Sequence, residues 1–552
     1  MIPEPEKHVE ARTGGDRDAS TQARTLAGPK VGDGLEDGTG EFTELANAER
    51  MIARHGAEMM FVRELAGWLC WDGRRWRADP ARAMRYAKDT LRQLAIECGA
   101  KIAKQTKTIA DADESGDDET RERAQRRRGY DQACLKWAER SQSASGLAAM
   151  LKLAESAPTI VRRAEELDAD PWLFSCQSGT IDLRTGVLGP HERQHRITKI
   201  SPVAYDPDVD IAPWLDFLRV ATSKDGATAD DATIAFLQQC AGYSLTGSTA
   251  EEKFFIAYGP KGSGKSTFVE AMRTPLGDYA RATSFDTFVA RKDAASQRPD
   301  LARLAGARMV SASELAKGRR ISDDTIDNIT GGEVVQACHK YRDPFEFKPQ
   351  FKLWWLVNVL PSQQDPESGF WRRVVVIPFE FAVPAERRDP KLKAMLTDPM
   401  RGGPMVLRWM VLGCLAWEAA GRLIEPVRVA SATDGYRTSQ DPIAGFVREC
   451  CKLDAGAFVL KADLLASYRQ WVKDRGEPSI PADDLTAILK APPYSCTERN
   501  KRVAGGTPRM AWFGIRARTA SDDAADDLAT ARAAELAPVE AESLHAAESV
   551  GG

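Results

Sequence analysis

The spacing of apolar residues changes along the chain, and it predicts helices in some stretches and β-hairpins in others. Apolar positions recur at helical spacing over 46–60 and over 81–165, where a charged stretch at 111–128 interrupts them. Two other stretches, 68–76 and 170–186, carry apolar and aromatic runs beside Asp-Gly or glycine turns, which is the pattern of a hairpin. We therefore predict a mainly helical N-terminal region that contains two small hairpins.

After a helical segment at 213–247, short apolar runs begin to alternate with helical stretches. The runs are 254–258, 308–314, 352–358 and 374–379. Short apolar runs bounded by polar residues predict buried strands, and strands that alternate with helices predict a nucleotide-binding type of α/β core. The expected fold class is therefore α/β.

The C-terminal part of the chain has a third pattern, which is helix, strand, two helices and a hairpin with a basic turn. This order is typical of a winged-helix domain, in which a basic wing contacts the DNA backbone. A protein–protein module with a solvated turn fits the same pattern, and the sequence leaves both open. The segments are helix 443–451, strand 458–460, helices 461–474 and 482–489, basic turn 499–502 and strand 510–515.

Composition narrows the class of protein. The formal net charge is −4, so the chain is not basic overall and any nucleic-acid surface is local. Ten cysteines and six histidines are scattered without zinc-ligand spacing, which predicts free thiols in a reducing compartment. No apolar run reaches about 18 residues, so no membrane span is expected.

Both ends of the chain are predicted to be disordered. Residues 1–44 are polar and rich in glycine and acids, and 519–552 form an acidic, alanine-rich tail. The N-terminus lacks the apolar stretch of a signal peptide, so the cytoplasm is the expected location.

The most specific motif is G-x-x-x-x-G-K-[ST], which is complete from Gly259 to Ser266 between a predicted strand and a predicted helix. Glycines allow backbone N–H groups to surround phosphate oxygens, and the helix N-terminus points further N–H groups at the same anion. Lys265 is expected to reach the β- and γ-phosphates and Ser266 to hold Mg²⁺. The predicted nucleotide site consists of Gly259, Pro260, Lys261, Gly262, Ser263, Gly264, Lys265, Ser266 and Thr267.

Polar residues end or precede the strands that follow the P-loop. Glu314 ends one strand and is a candidate to polarise a water molecule or to help hold Mg²⁺. Asn358 ends the next and is placed to position that water, although an amide that only caps the strand fits as well. Arg372 and Arg373 precede the last strand, where they are either an arginine finger or a pair of surface cations.

In chain order these features resemble superfamily 3 helicases of the phage/plasmid primase–helicase and poxvirus type. The shared order is P-loop, strand with a single acid, Thr-Gly-Gly-acid at 330–333, strand ending in Asn, and Trp-Arg-Arg at 371–373 before Ile-Pro-Phe at 377–379. The resemblance covers about 46–518 and is most specific over 254–384. It implies an AAA+ type core that assembles into a ring, usually a hexamer, around single-stranded DNA.

The resemblance also implies roles for individual residues, with hydrolysis occurring between subunits. Lys265, Ser266 and Thr267 would bind ATP–Mg²⁺, Glu314 would be the catalytic acid and a Mg²⁺ ligand, Asn358 the sensor, and Arg372 or Arg373 the finger that acts on a neighbouring subunit.

The segment 329–347 resembles the pore hairpin of the same family, which implies that His339, Lys340 and Arg342 grip the DNA backbone. Four positions depart from the family pattern, and they bear on DNA contact rather than on ATP binding. These are Asn328 and Cys338, where the family has Lys and often Arg, Glu333, where Asp is usual, and Val357, where Thr is common.

The predicted organisation is a helical accessory domain, an AAA+ P-loop NTPase core and a C-terminal winged-helix domain. Only about 45 residues precede the helical region, so no primase module is expected in this chain and any priming would come from another. The predicted segments are 1–44 (disordered), 45–210 (accessory), 211–430 (motor), 440–518 (winged helix) and 519–552 (acidic tail).

We therefore expect an ATP hydrolase that acts as a DNA helicase in phage or plasmid replication, in the cytoplasm of a bacterial host. By resemblance it would form a hexameric ring and translocate 3′ to 5′ on single-stranded or forked DNA, with a separate primase or initiator as partner. Two alternatives stay open. One is a nucleotide-gated loader that remodels an origin without processive unwinding, and the other is a P-loop ATPase of defence or packaging.

Overall fold

The described part of the chain divides into two compact units. The first holds residues up to Asp72 together with Arg77–Glu166, and the second holds Gly73–Trp76 together with the chain from Leu167 onward. The computed structural model describes residues 42–65, 67–289, 298–313, 321–338, 344–361, 363, 368–440, 442–475, 480–492, 494–502, 507–519 and 522. Most of the two termini predicted to be disordered lies outside these ranges.

The first unit is mainly helical, as predicted. A small core of buried residues, including Met51, Trp68 and Met150, holds its helices against a short antiparallel sheet. The elements from Glu44 to Ala154 are α1 Glu44–His55, β1 Met59–Val62, β2 Gly67–Trp71, β3 Trp76–Ala78, α2 Pro80–Ser115, α3 Asp118–Ser141 and α4 Ala144–Ala154, and the first residue of β3 is counted with the second unit.

The predicted charged interruption at 111–128 is much shorter in the structure. Gly116, with φ 71°, ends α2, and the carboxylate of Asp117 caps α3 by accepting from the backbone N–H of Thr120. The rest of the charged stretch is helical because acids and arginines one turn apart pair along α3, as Glu119 and Arg123 do.

The second unit contains a parallel sheet with helices on both faces. Its elements up to residue 440 are β4 Leu173–Cys176, β5 Gly179–Asp182, β6 Val187–Gly189, α5 Ala212–Thr222, α6 Asp231–Leu245, β7 Phe254–Tyr258, α7 Lys265–Leu276, β8 Ala280–Ser284, α8 Pro299–Ala302, β9 Met309–Ser313, α9 Asp323–Thr330, β10 Val335–Cys338, β11 Pro344–Phe347, β12 Lys352–Val357, α10 Phe370–Arg373, β13 Val374–Pro378, α11 Pro390–Leu396, α12 Gly402–Ala420 and α13 Val427–Gln440.

Five parallel strands form this sheet in the order β13-β7-β12-β9-β8. The four predicted strands are all present. The fifth, β8, has a largely exposed, polar pattern and lies at the edge of the sheet beside β9, so it gives no apolar run that sequence reasoning could find. The expected α/β class is confirmed, and the structure adds that all five strands of the sheet are parallel.

Both faces of the sheet are covered, which explains the continuous apolar runs. Phe255 and Trp354 lie in the core on one face, with Phe268 of α7. Phe254 and Trp355 lie in the core on the other face, so neighbouring residues of each strand serve opposite cores.

The hairpins of 170–186 pack on this sheet. Phe174 and Ile181 belong to the same buried cluster as Trp214 and Phe255. The two compact units divide after Glu166. The end of the accessory domain near residue 210 stays a prediction.

Residues 442–517 contain a three-stranded antiparallel sheet with order β14-β16-β15 and three helices. The predicted element order is present, but the first strand is longer than expected, and Arg499–Lys501 lie in a strand rather than in the turn because they pair with the last strand. The elements are α14 Pro442–Cys450, β14 Cys451–Leu460, α15 Lys461–Arg475, α16 Ala482–Lys490, β15 Thr497–Lys501 and β16 Arg509–Ala517.

All ten cysteines fall in described parts of the chain, and none is paired in a disulfide. Within the described ranges, no helix combines the length and the apolar character that a membrane span needs.

Candidate functional site

The predicted P-loop joins the end of β7 to the start of α7. A Cβ at Gly259 would collide with the backbone oxygen of Phe379, so this position admits only glycine. Gly264 has φ 92° at the N-cap of α7, a conformation that L-residues with a side chain rarely adopt. The two glycines allow the chain to turn directly from strand to helix, which leaves the first N–H groups of α7 facing the loop.

Lys265 lies folded into this loop. Its side chain is buried, and its ammonium group donates to the backbone oxygens of Gly259 and Pro260 (2.7 Å each) and to the hydroxyl of Ser263 (3.2 Å). Burial lowers the pKa of Lys265 from 10.5 to about 8. The ammonium group thus sits among neutral oxygens, where an anionic phosphate would be a stronger partner.

Ser266, the residue predicted to hold Mg²⁺, comes directly after Lys265 in the chain. Ser266 lies in the first turn of α7 and is exposed, while the next residue, Thr267, is half-buried. An exposed hydroxyl beside the buried lysine fits a metal ligand at a triphosphate, because hydroxyl and carboxylate oxygens are the donors that Mg²⁺ prefers.

The P-loop and the end of β12 are neighbours. Val357 pairs with Tyr258 in the parallel register, and the N–H of Gly259 donates to the oxygen of Val357 (3.3 Å). Asn358 follows at this edge and is exposed. The structure therefore brings Asn358 beside the loop.

Glu314, the candidate catalytic acid, follows the strand next to β12. Strand β9 ends at Ser313, which pairs with Leu356 of β12. Glu314 comes next in the chain and lies outside the described residues.

The arginine pair lies at the other edge of the sheet. Helix α10 ends at Arg373, and β13 then begins with Val374, which pairs with Phe254 at the start of β7. Five residues of strand, about 16 Å, separate this edge from the P-loop edge. Neither arginine is therefore close to the P-loop of its own chain.

The two arginines differ in their surroundings. Arg373 is buried and forms ion pairs with Glu252 and Asp327, at 2.9 Å each. The Arg372 side chain is 67% exposed, and its closest charged partner is Glu252 at 3.5 Å. Of the two, only Arg372 has a guanidinium group that a second molecule can reach.

Sequence reasoning missed Glu252 and Asp327. Glu252 precedes the P-loop strand and lies 121 positions from Arg373, so no local pattern links them. Asp327 lies on α9, just before the Thr-Gly-Gly segment, and only the fold brings it to the arginine.

The segment that resembles a pore hairpin does contain an antiparallel pair of strands. Val335 pairs with Phe347, and Cys338 pairs with Pro344. The predicted DNA-contacting residues, His339, Lys340 and Arg342, belong to the connection between these strands and lie outside the described residues.

Comparisons with known proteins relate the chain to viral helicases. Residues 48–223 match a family described as D5 N terminal like, and residues 257–373 match a family of unknown function. A protein of Acanthamoeba polyphaga mimivirus that is named a "putative helicase" is 27% identical over 345 residues, which is 58% of this chain and 35% of that protein. Another from Frog virus 3, with the same name, is 28% identical over 257 residues, which is 44% of this chain and 26% of that protein.

The chain thus spans about a third or less of the length of these relatives. Among solved structures, the C-terminal region of NrS-1 is similar with a TM-score of 0.36 and 11% identity, over 63% of this chain and 83% of that one. That likeness is too low to support an inference. The sequence matches support a relationship to D5-like primase–helicases, and they do not bear on the expected bacterial host.

Proposed function

We propose that this protein is an ATP-driven DNA helicase whose active sites form between subunits of a ring. The observation that carries the proposal is the division of the predicted site between two edges of one sheet. The P-loop and Asn358 lie at the carboxyl edge, while Arg372 lies exposed at the amino edge. A chain built in this way needs a second copy to bring an arginine to its nucleotide.

The chemistry follows from the residues at each edge. Lys265 and the loop N–H groups would hold the β- and γ-phosphates, and Ser266 and Glu314 would hold Mg²⁺, which would supply charge neutralisation at those phosphates. Glu314 accepts a proton from the attacking water, and Asn358 holds that water in line. Arg372 of the neighbouring subunit stabilises the charge on the transferred phosphoryl group, a contribution worth about 10³–10⁵ in rate in related finger mechanisms.

Three features support an AAA+ type core. First, β12, which leads to Asn358, lies between the P-loop strand β7 and β9, which leads to Glu314. Second, all five strands of the sheet are parallel. Third, the hairpin β10–β11 comes between β9 and β12 in the sequence. The element order of 442–517 supports a winged-helix domain in the same chain. The names of the curated viral relatives support the assignment to DNA unwinding in replication.

The test is ATP hydrolysis and strand displacement on forked DNA by the full chain. We expect hydrolysis that single-stranded DNA stimulates, and unwinding of forks with a 3′ tail. Lys265→Ala should abolish nucleotide binding, whereas Glu314→Gln should retain binding and lose turnover. Absence of ATP binding by the wild-type chain, or unwinding by Lys265→Ala, would contradict the proposal.

The same assays separate the helicase from a loader. The loader alternative is favoured by the departures in the hairpin segment, above all Cys338, a buried thiol where the family often has an arginine. ATP turnover that DNA stimulates without any strand displacement would support the loader.

Contact with DNA is proposed for His339, Lys340 and Arg342. Replacing Lys340 with Ala should weaken DNA binding equally for all sequences and reduce the slope of log affinity against log salt by about 1. An unchanged slope would remove Lys340 from the DNA interface.

A further inference from the structure

The chain returns to the P-loop after the last strand of the sheet. The N–H of Phe379 donates to the oxygen of Tyr258 (2.7 Å), and the N–H of Val383 donates to the oxygen of Gly262 (3.1 Å). Residues 379–383 are thereby held beside the loop at two points. Nothing in the motif itself predicts this segment, because it lies more than a hundred positions downstream.

Arg388 is fixed against the loop by the same segment. After a short 3₁₀ turn at Ala385–Arg387, the Nε of Arg388 donates to the oxygen of Val383 (2.8 Å). A Cβ built on Gly262 would lie 2.6 Å from Nη2 of Arg388, so the guanidinium group occupies the space that a side chain at position 262 would fill. Glycine at this position therefore lets a cation approach the loop backbone.

The charge on Arg388 has no counter-charge within the described ranges. Its guanidinium group donates to the backbone oxygen of Val383, and no carboxylate of the described residues forms an ion pair with it. The guanidinium group is exposed and presents several N–H donors in a planar fork, which suits the oxygens of a phosphate. A cation held at a glycine loop without an acidic partner is arranged to meet an anion.

We propose that Arg388 contacts the polyphosphate chain of the nucleotide bound by its own subunit. This inference rests on the proposed function and adds a second cation from the same chain to Lys265. It differs from the role of Arg372, which lies at the opposite edge of the sheet and acts on a neighbour. Because the backbone tie through Val383 fixes Arg388 relative to Gly262, the contact involves phosphates rather than the base, and it is stronger for ATP than for AMP.

The test compares Arg388→Ala and Arg388→Lys with Arg387→Ala in the full chain. Arg387 is a matched control because it is the adjacent arginine but lies over the ring of Phe381, with its Cζ 5.9 Å from the ring centre, and not against Gly262. Affinities for ATP, ADP and AMP are measured by calorimetry, and thermal unfolding without nucleotide reports on folding.

We expect Arg388→Ala to weaken ATP binding by about 10- to 100-fold, the usual range for a charged hydrogen bond. Binding of AMP should be unchanged, Arg388→Lys should recover part of the loss, and Arg387→Ala should match the wild type.

Each other outcome is decisive. If Arg388→Ala binds ATP like the wild type while Lys265→Ala does not bind, the role of Arg388 is overturned and the proposed function stands. Equal losses for ATP and AMP, or a loss that Arg387→Ala shares, would assign Arg388 a structural role and overturn the phosphate contact. Failure of the wild-type chain to bind any nucleotide would instead overturn the proposed function itself.

Discussion

At the scale of single residues, burial decides what each charged side chain can do. Lys265 is buried among neutral oxygens, so its ammonium form is poorly stabilised until an anion arrives. Arg372 and Arg373 are adjacent in the chain, but one is exposed and the other is buried in ion pairs. The first is available for chemistry, and the second holds the structure together.

The pKa of Lys265 leads to a prediction about pH. The ammonium form is the one that binds phosphate, and a bound phosphate raises the lysine pKa above its value of about 8 in the free protein. Nucleotide binding should therefore take up protons, and ATP affinity should fall as the pH rises through about 8. Calorimetry in two buffers of different ionisation enthalpy, from pH 7 to pH 9.5, measures both effects.

Lys265→Arg is the control for this titration, because a guanidinium group stays protonated over the whole range. Whatever its absolute affinity, that variant should show a smaller pH dependence. A wild-type affinity that is constant from pH 7 to pH 9.5 would contradict the assigned role of the Lys265 proton.

The arginine pair gives a matched comparison of stability and turnover. Arg373→Ala removes a buried cation from Glu252 and Asp327 and should cost about 1–3 kcal/mol of unfolding free energy, less than a fully buried pair because both acids remain partly exposed. Arg372→Ala should change the unfolding free energy by less than about 0.5 kcal/mol and still reduce ATP turnover. Denaturant unfolding and steady-state hydrolysis of both variants distinguish these effects. Equal destabilisation by the two substitutions would contradict the division of roles.

At the scale of elements, buried cations join the sheet to the segments around it. Lys352, the first residue of β12, donates to the backbone oxygens of Ser248 (3.0 Å) and Gln350 (3.2 Å) and to that of Thr246 after α6. Burial lowers its pKa well below the usual 10.5. Arg308, just before β9, likewise donates to the oxygens of Leu245 and Leu173. These contacts fix the hairpins of 170–186 and the end of α6 to the sheet.

Removing the Lys352 ammonium group should therefore destabilise the second unit. Lys352→Met keeps the approximate length of the side chain but leaves three backbone oxygens, one buried and two partly buried, without this donor, at a cost of about 2–4 kcal/mol. Lys348→Met, at an exposed position four residues earlier, should lie within about 0.5 kcal/mol of the wild type. Denaturant unfolding of both variants measures the difference, and similar midpoints would show that Lys352 is not an anchor.

At the scale of the whole molecule, the proposed active site is incomplete in one chain. The P-loop and Arg372 lie at opposite edges of the same sheet, so an assembly can place one edge of each subunit against the other edge of the next.

Mixing inactive variants tests this arrangement. Lys265→Ala lacks a working P-loop and Arg372→Ala lacks the finger, so each alone should hydrolyse ATP poorly. In mixed assemblies, an Arg372→Ala subunit contributes an intact P-loop to a Lys265→Ala neighbour with an intact Arg372, and part of the activity should return. If hydrolysis stays at the level of the separate variants although mixed assemblies form, the site does not lie between subunits.

The turn from β7 into α7, the strand that leads to Asn358 and the α/β class could be predicted from the sequence, because each depends on neighbours in the chain. A glycine pattern between strand and helix, or a short apolar run, carries its own local signal. The element order of the C-terminal part could be predicted for the same reason.

Tertiary structure alone decided which arginine is exposed, where the first unit ends and what lies beside the P-loop. Edge strand β8 has no apolar run, the partners of Arg373 and Lys352 are distant in sequence, and Arg388 reaches Gly262 only because the chain folds back after β13. Burial and pairing of charges depend on what the whole fold brings together, and a local pattern of residue types does not contain that information.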